Sequence, residues 1–230
     1  MSNKFMEVIS LERESQTKDI NNTVIPSVKS EKIICTFKTT LKSIEDKFLI
    51  VDKLETMDVN DAKDDILRSQ IVFVMSSLDY YMHEIVKYGI IEMFNGNKPK
   101  TKSYQNFIVS MPFVEEAIKN IESVDWLENW IVIKDKQNTY MASEKIKKCL
   151  SLISTKTIFK NIADEMSMKS NELSNRIDEI YERRNYIAHQ ADRNAKTGEL
   201  QEIDKTFVEQ SIKFIREFVE NVHKEITNDI

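Results

Sequence analysis

Residues 182–193 read ERRNYIAHQADR. Three side chains here have types that could do chemistry together. Asn185 and His189 are four residues apart, so on a helix their side chains share a face about 40° wide. Arg184 lies about 100° from Asn185, and its long side chain can reach the same place. An imidazole gives or takes a proton near neutral pH. A guanidinium keeps its charge and binds a phosphate through two parallel hydrogen bonds. An amide can orient either the histidine or a substrate. Proton transfer at a phosphate is therefore the chemistry that this trio suits. Arg183, immediately upstream, has no part in the scheme, and its replacement is expected to be mild. The same residues admit a plainer reading. His189 could simply complement a helix C-terminus, and Arg184 could pair with Glu182 or Asp192 at the surface.

Other polar groups form a second tier. Ser76, Asp79 and His83 follow spacings of three and four on an otherwise apolar helical stretch. A buried carboxylate there could hold Arg184 or tune His189; alternatively Asp79 and His83 pair with each other. His223 lies among Glu220 and Glu225 and reads as a surface residue. Tyr80, Tyr81 and Tyr88 read as core and interface. Lys145, Lys147 and Lys148 are the densest basic cluster, read as a solvated helix face. No carboxylate and histidine cluster has metal-ligand spacing, so neither a metal nor another cofactor is expected.

The rest of the chain sets limits. It has 230 residues, 41% hydrophobic and 31% charged, enough for a substantial core in a soluble globular protein. Glycine and proline number only three each. A sheet protein of this length needs many more turn residues, so a mostly helical chain is predicted. The net charge of −5 argues against a protein that coats nucleic acid broadly, but leaves room for a local basic site. Two cysteines, Cys35 and Cys149, are too few for a disulfide framework. The opening MSNKFMEVISLERES lacks an apolar core of signal-peptide length. No apolar run reaches the roughly 18 residues of a membrane span. The expected location is the cytoplasm.

The elements that must position the trio follow from periodicity. Residues 1–30 are read as an arm or loosely attached helix, and 31–230 as one helical domain. Ile33, Ile34, Phe37, Leu41, Ile44 and Phe48 predict a first amphipathic helix. In 61–95, Leu67, Ile71, Val74, Leu78, Tyr81, Ile85 and Tyr88 keep spacings of four and three, predicting one long helix that NGNKPK (95–100) ends. Residues 96–165 read as a helical insertion. Within it, Ser110 and Pro112 open a helix, DWLENWIVI fits a short helix or a strand, and SEKIKKCLSLI fits a helix. A helix resumes near Ser170 with Leu173, Ile177 and Ile180 on one side and carries the trio. NAKTG (194–198) makes a loop. The last helix, about 199–228, buries Ile203, Phe207, Phe214, Phe218 and Val222.

RRNYIAH resembles the R-N-x-x-x-H signature of the HEPN superfamily (higher eukaryote and prokaryote nucleotide-binding domains), with Arg184, Asn185 and His189 at the signature positions. SSLDYYMHEIV (76–86) resembles the earlier long helix of the RiboL-PSP type of HEPN domain. The order of a long helix, an insertion, a motif helix and a final helix agrees, and the resemblance covers roughly 31–228. It implies an all-α, four- to five-helix up-and-down bundle that is usually dimeric. It further implies a metal-independent endoribonuclease of a toxin–antitoxin or antiviral defence system, with RNA as substrate and an antitoxin or defence protein as partner. A HEPN-like binding or assembly module without catalysis is the alternative. One subset of the family is silenced by modification of a tyrosine two residues after the histidine; Ala191 stands at that position here.

Overall fold

The computed structural model describes residues 29–194 and 196–228, so the expected arm at 1–30 lies outside the described residues except for its last two positions. Ten helices and no strand are found among the described residues, apart from an isolated antiparallel bridge between Arg193 and Leu200. The mostly helical chain predicted from the scarcity of glycine and proline forms, and it is all-α, as the family resemblance implies. None of the described helices is long and apolar enough to cross a membrane.

The axis of the molecule is α3 (Asn60–Phe94), which is 35 residues and therefore about 50 Å long. Its stripe of Leu67, Ile71, Val74, Leu78 and Ile85 is fully buried, as is Tyr81. Against it pack α1 (Ser30–Glu45), α9 (Ser170–Gln190) and α10 (Lys205–Thr227). Each brings apolar residues at helical spacing: Ile33, Phe37, Leu41 and Ile44 from α1; Leu173, Ile177 and Ile180 from α9; Val208, Ile212, Ile215, Val219, Val222 and Ile226 from α10. Burying such stripes, at about 25 cal/mol per Å² of apolar surface removed from water, holds the bundle together.

The first predicted helix is interrupted. The amide of Lys47 bonds to the carbonyl of Ile44, and that of Ile50 to Lys47, so the chain tightens to three-residue spacing across the start of α2 (Phe48–Thr56). The last helix begins later than expected, because the Asp204 side chain accepts from the Phe207 amide at 2.8 Å and caps it there. Ile203 and Phe207 are consequently only partly buried. His223 is not a surface residue: it is half-buried, and its Nδ1 meets the Tyr81 hydroxyl at 3.3 Å. Burial holds the His223 imidazole below its ordinary value.

The region 96–165 divides in two. The segments α4 (Lys102–Gln105) and α5 (Met111–Lys119) bury no residue, whereas α6 (Asp125–Asp135) joins the core through Leu127 and Ile131. DWLENWIVI lies within helix α6, which settles the choice between helix and strand. Ser110 stands before α5 with Pro112 in its first turn, although the Ser110 side chain makes no capping bond. By contrast, α7 (Ser143–Ile153) and α8 (Ile158–Glu165) belong to the shared core through Ile146, Leu150, Ile153, Ile158 and Ile162. The stretch read as a helical insertion, 96–165, thus contributes α6, α7 and α8 to the core.

Gly89 lets α7 approach α3. A Cβ at this position would lie 2.7 Å from Ile153 Cβ and 2.8 Å from Ile153 Cγ2. In an open helix, Gly→Ala stabilises by about 1 kcal/mol. Here overpacking, typically about 1–3 kcal/mol, opposes that gain. Gly89→Ala is expected to lower the urea midpoint; a raised midpoint would mean that α7 can shift away at no cost.

Candidate functional site

Helix α9 carries Leu173, Ile177 and Ile180 inward, and the next position of that stripe is Arg184. An arginine thus stands where the spacing calls for an apolar residue. Its Nε is buried without a hydrogen-bond partner, while Nη1 donates to Asn185 Oδ1 at 3.1 Å and approaches His189 Nε2 at 3.5 Å. Arg184 and Asn185 are half-buried and His189 is exposed. The structure therefore brings the three motif residues together. Within the trio the partner of the Asn185 side chain is Arg184.

The helix stops immediately after the trio. Ala191 (φ 48°) and Asp192 (φ 57°) are both left-handed, and the Asp192 amide bonds back to the Tyr186 carbonyl at 3.0 Å. Two consecutive left-handed residues without glycine are strained and need outside support. Asp192 supplies it. The residue is fully buried, and its Oδ2 accepts from Arg68 Nε and from Arg183 Nη2, each at 2.8 Å. Arg68 Nη2 also donates to the Gln201 carbonyl and Arg183 Nη2 to the Glu202 carbonyl. The clamp ties the end of the motif helix to α3 and to the loop before α10. Burial lowers the Arg183 guanidinium from its ordinary value, with Asp192 opposing and the nearby Arg68 reinforcing that effect.

Two expectations change as a result. Asp192 is a buried partner of Arg183 and Arg68, not a surface partner of Arg184. Arg183 is a structural residue whose loss will not be mild. Arg68 gave one signal in the sequence, as a lone arginine beside Leu67 in an apolar stripe, but its partner lies 124 residues away.

Ser76, Asp79 and His83 are not brought to the motif. Arg68 is the point where α3 meets the end of α9; Asp79 and His83 lie 11 and 15 residues further along, about 16 and 22 Å. Ser76 bonds to its own helix at Val72, beside the α1 groove. Asp79 and His83 do pair with each other, at 3.8 Å, but their main partners come from the α6 end. Asp79 accepts from the Tyr140 amide, and His83 Nδ1 lies 3.3 Å from Asp135 Oδ2. The Asp135 hydrogen bond outweighs partial burial and raises the His83 imidazole. Burial pushes the Asp135 carboxyl up, but bonds from His83, Tyr140 and Asn138 together hold it below its usual value. Tyr80 is 51% exposed, so it is not a core residue, whereas Tyr81 and Tyr88 are buried. Among the described residues, no group of three His, Cys, Asp or Glu is arranged to hold a metal ion.

Comparison with known families matches residues 37–228 to the RiboL-PSP-HEPN family. Comparison with curated proteins and with solved structures gave no match.

Proposed function

The chain belongs to the RiboL-PSP-HEPN family, and on that premise we propose that it is a metal-independent endoribonuclease, the effector of a toxin–antitoxin or antiviral defence system. The observation that carries the reading is the contact of Arg184, Asn185 and His189 at the last turn of α9, with the Arg184 Nε unpartnered and His189 open to solvent. These are the residues at the R-N-x-x-x-H positions, and their state suits an incoming phosphate.

In the proposed reaction the 2′-oxygen of a ribose attacks the adjacent phosphorus. A histidine takes the 2′-hydroxyl proton as the new P–O bond forms. The P–O5′ bond breaks, and a histidine gives its proton to the leaving oxygen. The products are a 2′,3′-cyclic phosphate and a 5′-hydroxyl. Arg184 neutralises the charge that builds on the phosphorane-like transition state, and Asn185 fixes the guanidinium plane. One exposed His189 cannot easily be base and acid at once. A second copy of the chain, related by a two-fold axis, supplies the other imidazole. Tyr186, 42% exposed on the motif helix, and Leu200, 47% exposed and bridged to Arg193 just beyond that helix, offer apolar surface for that contact.

The test is cleavage of single-stranded RNA by the intact chain in excess EDTA, read by end-group analysis, with sedimentation at micromolar concentration alongside. Cyclic-phosphate ends formed at an undiminished rate by a dimer are expected. Loss of cleavage in EDTA with recovery in magnesium would sink the metal-independent chemistry. A monomer that still cleaves would remove the shared cleft.

A further inference from the structure

Away from the motif, α3, α4, α6 and α7 line a half-open cavity of about 440 Å³. This lies in the range of about 300–1,000 Å³ typical of small-ligand sites and far below what a duplex or folded partner needs. Its floor is apolar: Val86 and Ile90 from α3, Ile131 from α6, Cys149 and Leu152 from α7. The rings of Phe107 and Tyr140 flank it. Burial pushes the Cys149 thiol up, which keeps it a neutral part of the floor.

Three lysines, 134, 145 and 148, line the same space. The Lys134 ammonium lies 3.7 Å from the centroid of the Phe107 ring, and burial lowers it from its ordinary value. Among the described residues, Lys145 donates only to a neutral group, Thr139 Oγ1, at 3.2 Å. The ammonium of Lys148 has no hydrogen-bond or ion-pair partner among the described residues. The one carboxylate in the lining, Asp135, is already engaged by the Tyr140 hydroxyl at 2.6 Å, Asn138 Nδ2 at 2.7 Å and His83. The cations are thus left with an excess of positive charge, inside a chain whose net charge is −5. Ammonium groups around a cavity favour a phosphate, and an apolar floor between two rings favours a flat body.

We propose that this cavity binds a small phosphomonoester with a flat ring, its phosphate held by Lys134, Lys145 and Lys148 and its ring against Phe107, Tyr140 and the floor. The site is separate from the motif. Helix α7 meets α9 where Ser143 bonds to Asp178, 11 residues before His189 and so about 16 Å away along the helix. The proposal therefore holds whether or not the chain cleaves RNA.

The experiment is calorimetric titration of the intact chain with 1-naphthyl phosphate and with adenosine 5′-monophosphate. Inorganic phosphate, 1-naphthol and a short oligoribonucleotide are titrated in parallel. Binding of at least one of the two phosphomonoesters is expected, tighter than that of phosphate or naphthol alone. It should weaken about tenfold or more in the double variant Lys145→Glu/Lys148→Glu, and also in Ser151→Trp, which fills the cavity. It should be unchanged in His189→Ala. Lys145 and Lys148 are exposed, so the charge-reversed variant is expected to melt like the parent and remains decisive if Ser151→Trp fails to fold. Three results would each overturn the proposal: no binding of either phosphomonoester at millimolar concentration, binding that survives the lysine reversal, or binding lost in His189→Ala. Oligoribonucleotide binding that depends on the two lysines, without phosphomonoester binding, would assign the surface to RNA instead.

Discussion

His189→Ala is expected to reduce RNA cleavage by about 10²–10⁴-fold, the usual contribution of a general acid or base, with almost no change in thermal stability. The separation follows from the geometry. His189 is exposed, and among the described residues its one side-chain hydrogen-bonding approach is the 3.5 Å one from Arg184, too long to contribute much. Nothing in the core depends on the imidazole. Arg184→Ala is expected to cost a comparable factor by removing the charge that faces the phosphate. It should also lose some stability, because Arg184 continues the buried stripe and its aliphatic stem packs there. Arg184→Met, which keeps the stem, should recover that stability without recovering activity. Initial rates on a fixed RNA substrate, with a melt for each variant, check all three. A His189→Ala protein that melts like the parent and cleaves as fast would end the catalytic reading and leave a HEPN-like binding or assembly module. One that loses many degrees would make His189 a structural residue.

The helices were legible because their signal is local. Leu67 to Tyr88 repeat at spacings that only a helix can bury on one side, and α3 spans the predicted stretch to within a residue at each end. The trio was legible for the same reason, since residues one and four apart on a helix meet whatever surrounds them. The rest depended on information that spacing does not carry. The stripe 173, 177, 180 was readable, but that Arg184 would continue it inward was not, and what holds that end in place comes from Arg68, far upstream. The pairing of Asp79 with His83 was local and readable; their engagement with Asp135 and the Tyr140 amide depended on how α6 folds back over α3. The share of 96–165 that reaches the core was hidden because α6, α7 and α8 are short. Their few apolar residues look like those of any surface helix until a partner such as Gly89 makes room for them.

The largest stability effect is expected from Asp192→Ala. Asp192 is fully buried and faces two guanidinium groups, and removing it leaves two cations with no carboxylate between them. Breaking a buried ion pair from one side typically costs about 3–5 kcal/mol, against about 5–15 kcal/mol for the whole stability of a domain. Arg68 retains a partial alternative in Asp65, at 3.3 Å, but that residue is largely exposed and its help is small. Arg183→Ala should cost less than Asp192→Ala, since it leaves the Asp192–Arg68 pair whole and relieves the repulsion between the two arginines. It should still exceed the ±0.5 kcal/mol of an ordinary surface substitution. The pair Arg68→Ala and Asp192→Ala should be strongly non-additive, as groups in one network are. Urea denaturation of the four variants measures these differences directly. If Asp192→Ala unfolds within about 1 kcal/mol of the parent, less than the usual cost of one unpaired buried group, the clamp does not hold the end of α9. The two left-handed residues after Gln190 would then be maintained by backbone bonds, from the Asp192 amide to the Tyr186 carbonyl and from the Gln201 amide to the Asp192 carbonyl. If the cost is as large as expected, the position of His189 is set by an ion pair that the motif itself does not contain, and a chain with an intact R-N-x-x-x-H but no equivalent of Asp192 would hold its histidine less firmly.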